Sequence, residues 1–237
     1  MKVVILAGGK GTRLAEKTKL VPKPMVKIGN KPIIWHIIQN FRFFGFKDFI
    51  IATGYKSKVI ENFFKKEKSF KNLNILIKYT GLNSMTGFRV KKLEKYLKSS
   101  FILTYGDGLS NIDFKKLLKF HANTKSIVTL TTVNPPPRWG YLMLNKKNKI
   151  ISFKEKVSTK KNLINAGFMI VEKEIFKYLK YNNTEVLESD CFLRLVKNRK
   201  ISAYYHNGFW QCMDTLRENL FLNKLWKNGV APWRNWQ

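Results

Sequence analysis

Acidic residues are scarce in this sequence. Its 237 residues include 15 Asp and Glu against 45 Lys and Arg, a formal net charge of +30 at pH 7. Such a charge would suit a protein that binds nucleic acid or an anionic membrane. The lysines are scattered from Lys2 to Lys227 without a long basic tail, and no known nucleic-acid-binding signature is present. We interpret them as solvated surface residues and expect no specific nucleic-acid partner; a basic RNA-binding protein is the alternative.

Cysteine and histidine are also rare, with two and three residues respectively. Cys191 and Cys212 lack the spacing of a metal motif, so a zinc site is not expected. No run reaches the ~20 apolar residues that a membrane helix requires. The apolar start at 1–7 leads directly into a glycine-rich turn, which argues against a signal peptide. We therefore expect no membrane partner and a cytoplasmic location, where cysteines stay reduced.

Apolar residues are plentiful, at 44% of the chain, and the length suits one domain, 1–237. Strands alternate with helices up to about residue 133, which predicts βαβ units and a twisted, mostly parallel sheet flanked by helices. From about residue 134 to 237, shorter strands predict a smaller, β-rich part. Strands are predicted at Lys2–Ala7, Asp48–Thr53, Leu73–Tyr79, Phe101–Tyr105, Ser126–Val133, Tyr141–Leu144, Ile150–Lys154, Ile164–Val171 and Ile201–Tyr205. Helices are predicted at Pro32–Gly45, Ser57–Lys66, Val90–Leu97, Asp113–Asn123, Glu174–Leu179, Glu185–Lys197 and Thr215–Lys227.

The first predicted strand ends in Leu-Ala-Gly-Gly-Lys-Gly-Thr-Arg-Leu, at 6–14. Glycines allow the backbone to approach a ligand closely, and successive N–H groups can surround an anion. Arg13 adds a permanent cation suited to phosphate oxygens. The spacing matches neither the dinucleotide fingerprint nor the P-loop. The segment predicts an anion-binding turn, with an ordinary glycine-rich turn as the alternative.

Three further charged residues lie at rigid or glycine-rich positions. Lys23 lies between two prolines, which fix the backbone around its ammonium, as phosphoryl transfer requires; a rigid surface loop is the alternative. Asp107 lies between Gly106 and Gly108 after a strand, where a carboxylate could hold Mg²⁺, although a tight hairpin turn gives the same pattern. Asp214 precedes the last predicted helix, where aspartate is more often a cap than a metal ligand.

Together these motifs resemble those of the sugar-phosphate nucleotidyltransferase family. Its signature, Gly-Gly-x-Gly-Thr-Arg-Leu at 8–14, is followed by Pro-Lys-Pro-Met at 22–25. The Trp-His pair at 35–36, Phe-Trp-Gln at 209–211 and Ala-Pro-Trp at 231–233 are similar to the glucose-1-phosphate cytidylyltransferase branch. The resemblance covers nearly the whole chain. It implies a Rossmann-like fold with a β-rich sugar-binding part, and Mg²⁺-assisted transfer of a nucleotidyl group from CTP to glucose 1-phosphate with release of pyrophosphate.

The resemblance also assigns roles to residues. Arg13, Lys23 and Asp107 are expected to be catalytic, and Asp107 and Asp214 to hold the metal ion. The residues expected to bind the nucleotide are Leu6, Ala7, Gly8, Gly9, Lys10, Gly11, Thr12, Arg13, Ser84, Arg89 and Gly106. The residues expected to bind the sugar phosphate are Glu155, Lys156, Asn165 and Gly167.

The sequence departs from the family pattern at a few positions. Phe88 stands where glycine is usual and is expected to narrow the pocket beside the base; Ala166 replaces glycine and Cys212 replaces proline. These changes leave the phosphate-binding residues intact. They keep open the same chemistry with another nucleoside triphosphate or sugar phosphate, and a nucleotide-sensing relative without turnover is a further alternative. Whether the chain forms a homo-oligomer is also open.

Overall fold

In the computed structural model, residues 1–135, 141–154 and 163–236 are described. The strands are β1 (Lys2–Ala7), β2 (Lys27–Ile28), β3 (Lys31–Pro32), β4 (Asp48–Thr53), β5 (Asn74–Tyr79), β6 (Phe101–Tyr105), β7 (Gly108–Ser110), β8 (Val128–Val133), β9 (Tyr141–Leu144), β10 (Ile150–Lys154), β11 (Ile164–Val171), β12 (Ile201–Tyr205) and β13 (Trp210–Cys212). The helices are α1 (Ala15–Thr18), α2 (Ile33–Phe43), α3 (Ser57–Lys66), α4 (Thr86–Lys91), α5 (Phe114–Thr124), α6 (Phe192–Lys197) and α7 (Leu216–Lys227). None of the helices in the described parts of the chain is long and apolar enough to cross a bilayer.

A seven-stranded sheet in the order β12-β8-β11-β6-β1-β4-β5 organises the fold. β1 is parallel to both β4 and β6, β4 is parallel to β5, and β12 is parallel to β8. β11 is antiparallel to both of its neighbours, β6 and β8. The predicted α/β fold with a mostly parallel sheet is confirmed. Because β11 comes from beyond residue 134, both parts of the sequence contribute to one sheet.

The apolar run of β1 is buried on both faces of the sheet. Val3 and Ile5 pack on one face in a cluster that includes residues of α2. Val4 and Leu6 pack on the opposite face with residues of α4 and α6. A parallel strand covered on both sides reads as a continuous hydrophobic run rather than an alternating one, which is why this strand was predictable from sequence.

Local contacts change the predicted helices of the second half. The stretch predicted as a helix from Glu185 to Lys197 is a π-helical turn, Leu187–Cys191, followed by α6. The Asp190 carboxylate accepts the Val186 N–H at 2.7 Å, which holds the chain in the wider turn. The segment predicted as the helix Glu174–Leu179 is a 3₁₀ turn, Lys173–Lys177.

The helix predicted at Val90–Leu97 lies mostly earlier in the chain. It begins at Thr86 as α4 and ends at Lys91, and a separate 3₁₀ turn covers Glu94–Tyr96. The Phe88 N–H donates to the Glu185 carbonyl at 3.1 Å, a contact between segments far apart in sequence. Such a tertiary partner for the first turn cannot be deduced from local periodicity.

Candidate functional site

Two adjoining clefts open at the carboxyl ends of β1 and β6, where ligands of parallel sheets bind. The first has a volume of about 380 Å³ and the second about 330 Å³, and Arg13, Tyr105 and Asp107 line both. The first cleft is lined by Leu6, Ala7, Gly8, Gly9, Gly11, Thr12, Arg13, Lys23, Pro24, Ser84, Met85, Thr86, Arg89, Tyr105, Gly106 and Asp107. Ten of the eleven residues predicted to bind the nucleotide therefore lie together; the eleventh, Lys10, is exposed and outside this lining.

The glycine-rich turn joins β1 to a 3₁₀ turn at Thr12–Leu14. The carbonyl of Gly8 accepts the Tyr55 N–H at 3.1 Å, and the Leu14 N–H donates to the Gly11 carbonyl at 3.0 Å. Gly106 directly follows β6 beside this turn: a Cβ there would lie 2.9 Å from Cγ of Pro24 and 3.2 Å from the Leu6 carbonyl oxygen, so only glycine fits. The turn is thus packed closely against the neighbouring strand end.

Arg89 is a buried arginine beneath the glycine turn, with 4% of its surface exposed. Its Nη1 donates to Oγ1 of Thr80 and to the Gly81 carbonyl, both at 2.7 Å, and its Nη2 donates to the Gly8 carbonyl at 3.0 Å. Burial lowers the pKa of the guanidinium, an effect that the Tyr79 hydroxyl partly opposes. Arg89 therefore ties the end of β5 to the turn after β1.

A second glycine reveals how closely Arg89 is packed. A Cβ on Gly54, just after β4, would lie 2.6 Å from Nη1 of Arg89 and 2.7 Å from the Gly8 carbonyl oxygen. Sequence reasoning missed Gly54, because a single glycine after a strand is an ordinary turn residue. The Ser84 side chain also bonds to the main chain of the same region, since its hydroxyl donates to the Thr80 carbonyl at 2.6 Å.

Four charged side chains form a connected network between the two clefts. Nζ of Lys23 lies 2.5 Å from Oδ2 of Asp107 and also donates to Oδ1 of Asp214. Nη1 of Arg13 lies 2.8 Å from the other oxygen of Asp214. We call these residues, Arg13, Lys23, Asp107 and Asp214, the four-charge network. All four were predicted from sequence, and the structure brings them together.

The pKa values within the four-charge network follow from its pairing. Burial lowers the pKa of Lys23, but Asp107 and Asp214 outweigh burial, so the pKa is raised overall. Burial raises the pKa of Asp214, but Lys23 and Arg13 outweigh it, so this pKa is lowered. Both directions keep the pair ionised near neutral pH.

Two short strands that sequence reasoning missed bring the carboxylates together. β7 follows Asp107 and pairs antiparallel with β13, which precedes Asp214. The Met213 N–H donates to the Asp107 carbonyl at 2.9 Å. Glu218 accepts the Asp214 N–H at 2.6 Å within the capping box of α7, which begins with Thr215 as N-cap. Three-residue strands paired across a hundred residues leave little trace in the local pattern.

The second cleft contains the described residues predicted to contact the sugar phosphate. Asn165 and Gly167 both line it, and the Asn165 side chain accepts the Gly167 N–H at 2.9 Å. The indole N–H of Trp210 donates to the Ala166 carbonyl at 2.7 Å, fixing this strand end. Two further predicted residues, Glu155 and Lys156, lie outside the described residues.

Glu188 is a cleft residue that the sequence did not reveal. It lines the second cleft from the π-helical turn, accepts the Tyr105 hydroxyl, and accepts the Thr86 hydroxyl at 2.8 Å. Burial and then the Glu188 charge raise the pKa of Tyr105. Because Tyr105 and Thr86 line the first cleft, Glu188 connects the two sites. Its segment reads as an ordinary helix, so no local signal identified it.

Phe88 does not narrow the first cleft, contrary to expectation. Its ring packs edge-on against Tyr181 at 5.0 Å between centroids, and it is absent from the lining. Cys212, which stands where the family has proline, does line the second cleft. Burial, followed by the charge of Asp214, raises the pKa of the Cys212 thiol to about 12, so the thiol stays protonated at neutral pH.

The fold and the site define an α/β protein with a ligand site at the carboxyl ends of its parallel strands. A glycine turn, two positioned cations and two converging carboxylates are the groups with which proteins handle nucleoside triphosphates and their metal ions.

Comparison with known proteins identifies the family. The nucleotidyl transferase family model matches residues 2–219. The chain is 38% identical over 259 residues to glucose-1-phosphate cytidylyltransferase of Salmonella typhimurium, with 100% of each chain covered. It is 36% identical over 178 residues to D-glycero-alpha-D-manno-heptose 1-phosphate guanylyltransferase of Campylobacter jejuni, covering 74% of this chain and 78% of that one.

A solved structure of UDP-glucose pyrophosphorylase complexed with UDP-glucose has the same fold, with a TM-score of 0.75 at 17% identity. The two structures match over 96% of this chain and 98% of the pyrophosphorylase chain. This protein belongs to the nucleotidyl transferase family. The resemblance drawn from the motifs, and with it the assignment to the sugar-1-phosphate nucleotidyltransferases as an enzyme class, is confirmed.

Proposed function

We propose that this protein transfers CMP from CTP to glucose 1-phosphate, giving CDP-glucose and pyrophosphate. Identity of 38% to the Salmonella enzyme along the full length of both chains carries the proposal. The four-charge network supports it from the structure, because it supplies two cations for the phosphates and two carboxylates that can hold a metal ion. The two free cysteines fit action in the reducing cytoplasm. We propose further that residues 1–237 act as one domain.

The proposed reaction is an in-line displacement without a covalent enzyme intermediate. A phosphate oxygen of glucose 1-phosphate attacks the α-phosphorus of CTP, the bond from that phosphorus to the bridging oxygen breaks, and pyrophosphate leaves. The attacking oxygen is already anionic near neutral pH, so no general base is required. The first cleft would hold the nucleotide and the second the sugar phosphate, with Arg13 and Asp107 on the wall that both share.

Asp107 and Asp214 fit a divalent cation, which we propose to be Mg²⁺. Carboxylate oxygens are the ligands that Mg²⁺ prefers, and one oxygen of each residue points to the same location, the Lys23 ammonium. Held by these two carboxylates, Mg²⁺ would supply positive charge that neutralises the charge developing on the phosphates. Cys212 and Glu218 also have ligand atoms close to Asp214, within 4.8 Å of one another. The Glu218 carboxylate, however, caps α7, and the Cys212 thiol is protonated.

The protein's own cations position and stabilise the phosphates. Lys23 is held by a 3₁₀ turn between prolines, and its buried ammonium lies at the boundary of the two proposed subsites. Arg13 extends from the glycine turn, with its side chain 73% exposed, and can therefore reach an incoming phosphate. Charge held in advance at a developing anion stabilises the transition state without reorganisation.

The test is a pyrophosphate-release screen of the four common nucleoside triphosphates against several sugar 1-phosphates. We expect CTP with glucose 1-phosphate to give the highest kcat/KM, with CDP-glucose identified by mass spectrometry. GTP with a heptose 1-phosphate is the informative competitor, given the guanylyltransferase relative. A higher kcat/KM for another pair would reassign the substrates, and CTP binding without turnover would favour a nucleotide-sensing role.

A further inference from the structure

The four-charge network is balanced within itself. Lys23 and Arg13 contribute two positive charges, and Asp107 and Asp214 contribute two negative charges. The Lys23 side chain is 10% exposed and the Asp214 side chain 12%, so the Lys23–Asp214 pair is largely shielded from solvent. Buried carboxylates are stable only when a cation neutralises them. In the free protein, the side chains of Lys23 and Arg13 supply those cations.

The Lys23 ammonium lies where a bridging metal ion would have to lie. It contacts one oxygen of each carboxylate, with 2.5 Å to Oδ2 of Asp107. A magnesium ion between the same oxygens would need distances of about 2.0–2.1 Å. Two cations cannot occupy that location together, because they would overlap and repel each other.

We infer that Lys23 and Arg13 are exchangeable counter-ions of the metal site, an inference that rests on the proposed function. In the free protein they neutralise Asp107 and Asp214. When the metal and the triphosphate bind together, both side chains leave the carboxylates and turn to the phosphate oxygens. One divalent ion replaces two unit charges, so the carboxylates stay neutralised before and after the exchange.

The surroundings allow this movement. The stem of Lys23 runs beside the glycine turn, since a Cβ on Gly11 would lie 3.0 Å from Cβ of Lys23. Both residues line the first cleft, so the ammonium can turn from the carboxylates toward a phosphate bound in that turn. Arg13 lies on the same turn with an exposed side chain, so its release from Asp214 disturbs no packed core.

The exchange predicts that metal binding and nucleotide binding are coupled. Metal alone must displace Lys23 without offering it another anion, so the free protein should bind metal weakly. With CTP present, the displaced ammonium gains phosphate partners, and metal affinity should rise. Replacing Lys23 by a neutral side chain removes the competitor, so the free protein should then bind metal more tightly.

The experiment measures Mn²⁺ binding by electron paramagnetic resonance in the absence of nucleotide. Lys23→Met keeps an apolar stem of similar length and removes the charge. We expect it to bind Mn²⁺ on the order of tenfold more tightly than the wild type. We also expect Mn²⁺ to raise the Tm of Lys23→Met more than that of the wild type, because a ligand stabilises the state that it binds. Arg13→Met should shift Mn²⁺ affinity in the same direction, and its exposed position makes folding secure.

Lys31→Met is the matched control. Lys31 also forms an ion pair, with Glu67 at 2.6 Å, but lines neither cleft, so its loss should leave Mn²⁺ affinity unchanged. If Lys23→Met bound Mn²⁺ no more tightly than the wild type, the inference that Lys23 is an exchangeable counter-ion would be overturned. The double variant Lys23→Met/Asp107→Asn should lose the gain. If the double variant kept the higher affinity, Asp107 would not be a metal ligand, and the inference would be overturned. CDP-glucose formation by the wild type tests the proposed function separately.

Discussion

The indole N–H of Trp233 donates to Nδ1 of His36 at 3.4 Å, joining two residues 197 positions apart in the chain. Nε2 of the same ring lies 3.0 Å from the Ile28 carbonyl, to which it donates. One ring nitrogen therefore accepts and the other donates, which is the pattern of a neutral imidazole. Both rings are fully buried, so the C-terminal segment is packed into the core through this pair.

The burial of His36 should make stability fall between pH 6.5 and about pH 4. Burial lowers its pKa from 6.5 to about 4. Backbone hydrogen bonds with Ile28 and Lys31 act to raise this pKa, and the charge of Arg234 lowers it further. Within this window the unfolded chain binds a proton that the folded chain does not. The contribution of neutral His36 to the free energy of unfolding is therefore complete above pH 6.5. It is lost as the pH falls toward 4, by up to about 3 kcal/mol. Urea unfolding across the window measures it.

His36→Gln is the control for that profile. Glutamine can still donate and accept but does not titrate, so the pH dependence should be flatter. His206, whose pKa burial also lowers, remains in both proteins and cancels in the comparison. A profile equally steep in the variant would exclude His36 as its source.

Replacing Asp107 by asparagine should lower kcat by on the order of 10² or more with little change in Tm. Asparagine keeps the shape of the side chain and loses the charge that pairs with Lys23 at 2.5 Å. Excess chelator should abolish turnover of the wild type. Asp113→Asn is a matched control, because Asp113 caps α5 and lines neither cleft, and asparagine also caps well. Full activity of Asp107→Asn would exclude the proposed metal ligand.

Arg89→Lys should raise the KM for CTP and lower the free energy of unfolding by about 2–4 kcal/mol. Lysine keeps the charge but has a single nitrogen, which cannot take the place of both guanidinium nitrogens that donate to Gly8, Thr80 and Gly81. Steady-state kinetics and urea unfolding measure the two effects. Arg42→Lys, where the guanidinium donates to the Ser69 carbonyl at 3.2 Å on the surface, should change neither quantity appreciably. An unchanged KM in Arg89→Lys would show that the glycine turn keeps its shape without the hydrogen bonds of the guanidinium.

The charge of +30 should produce only weak, non-selective binding to nucleic acid. Such binding should decrease steeply with salt, because counterion release supplies nearly all of it. Pyrophosphate release should decrease much less over the same range, since its contacts lie within the clefts. A salt titration of RNA and DNA retention beside the enzymatic assay compares the two. Tight binding of one RNA at physiological salt, in preference to scrambled competitors, would establish a second function.

Much of the sheet was predictable because its central strands are buried on both faces. β1, β4 and β6 begin and end where the apolar runs do. The edge strand β12 also has its predicted bounds, although its residues are partly exposed. The π-helical turn at Leu187–Cys191 was not predictable, since the Asp190 carboxylate and distant partners of α4 determine it. The pairing of β7 with β13 depends on the whole fold and not on either short segment.

The site shows the same division between local and tertiary information. Lys23 and Asp107 were predictable because prolines and glycines mark their positions in the sequence. The approach of Asp214 to both was not, because it requires the β7–β13 pairing. Arg89 was predicted as a nucleotide ligand, while the structure directs its hydrogen bonds to backbone carbonyls beneath the turn. We therefore propose that it acts on the nucleotide through the shape of that turn. Glu188 had no sequence signal at all.

The internal neutrality of the four-charge network has an evolutionary consequence. Two acids and two bases cancel there, so the whole surplus of +30 lies on other residues. Mutational drift in composition can add or remove surface lysines without altering the charge balance at the reacting phosphates. Within the network, by contrast, a single substitution that changes charge ends the balance of two positive and two negative charges, so viable lineages should change these positions together or not at all.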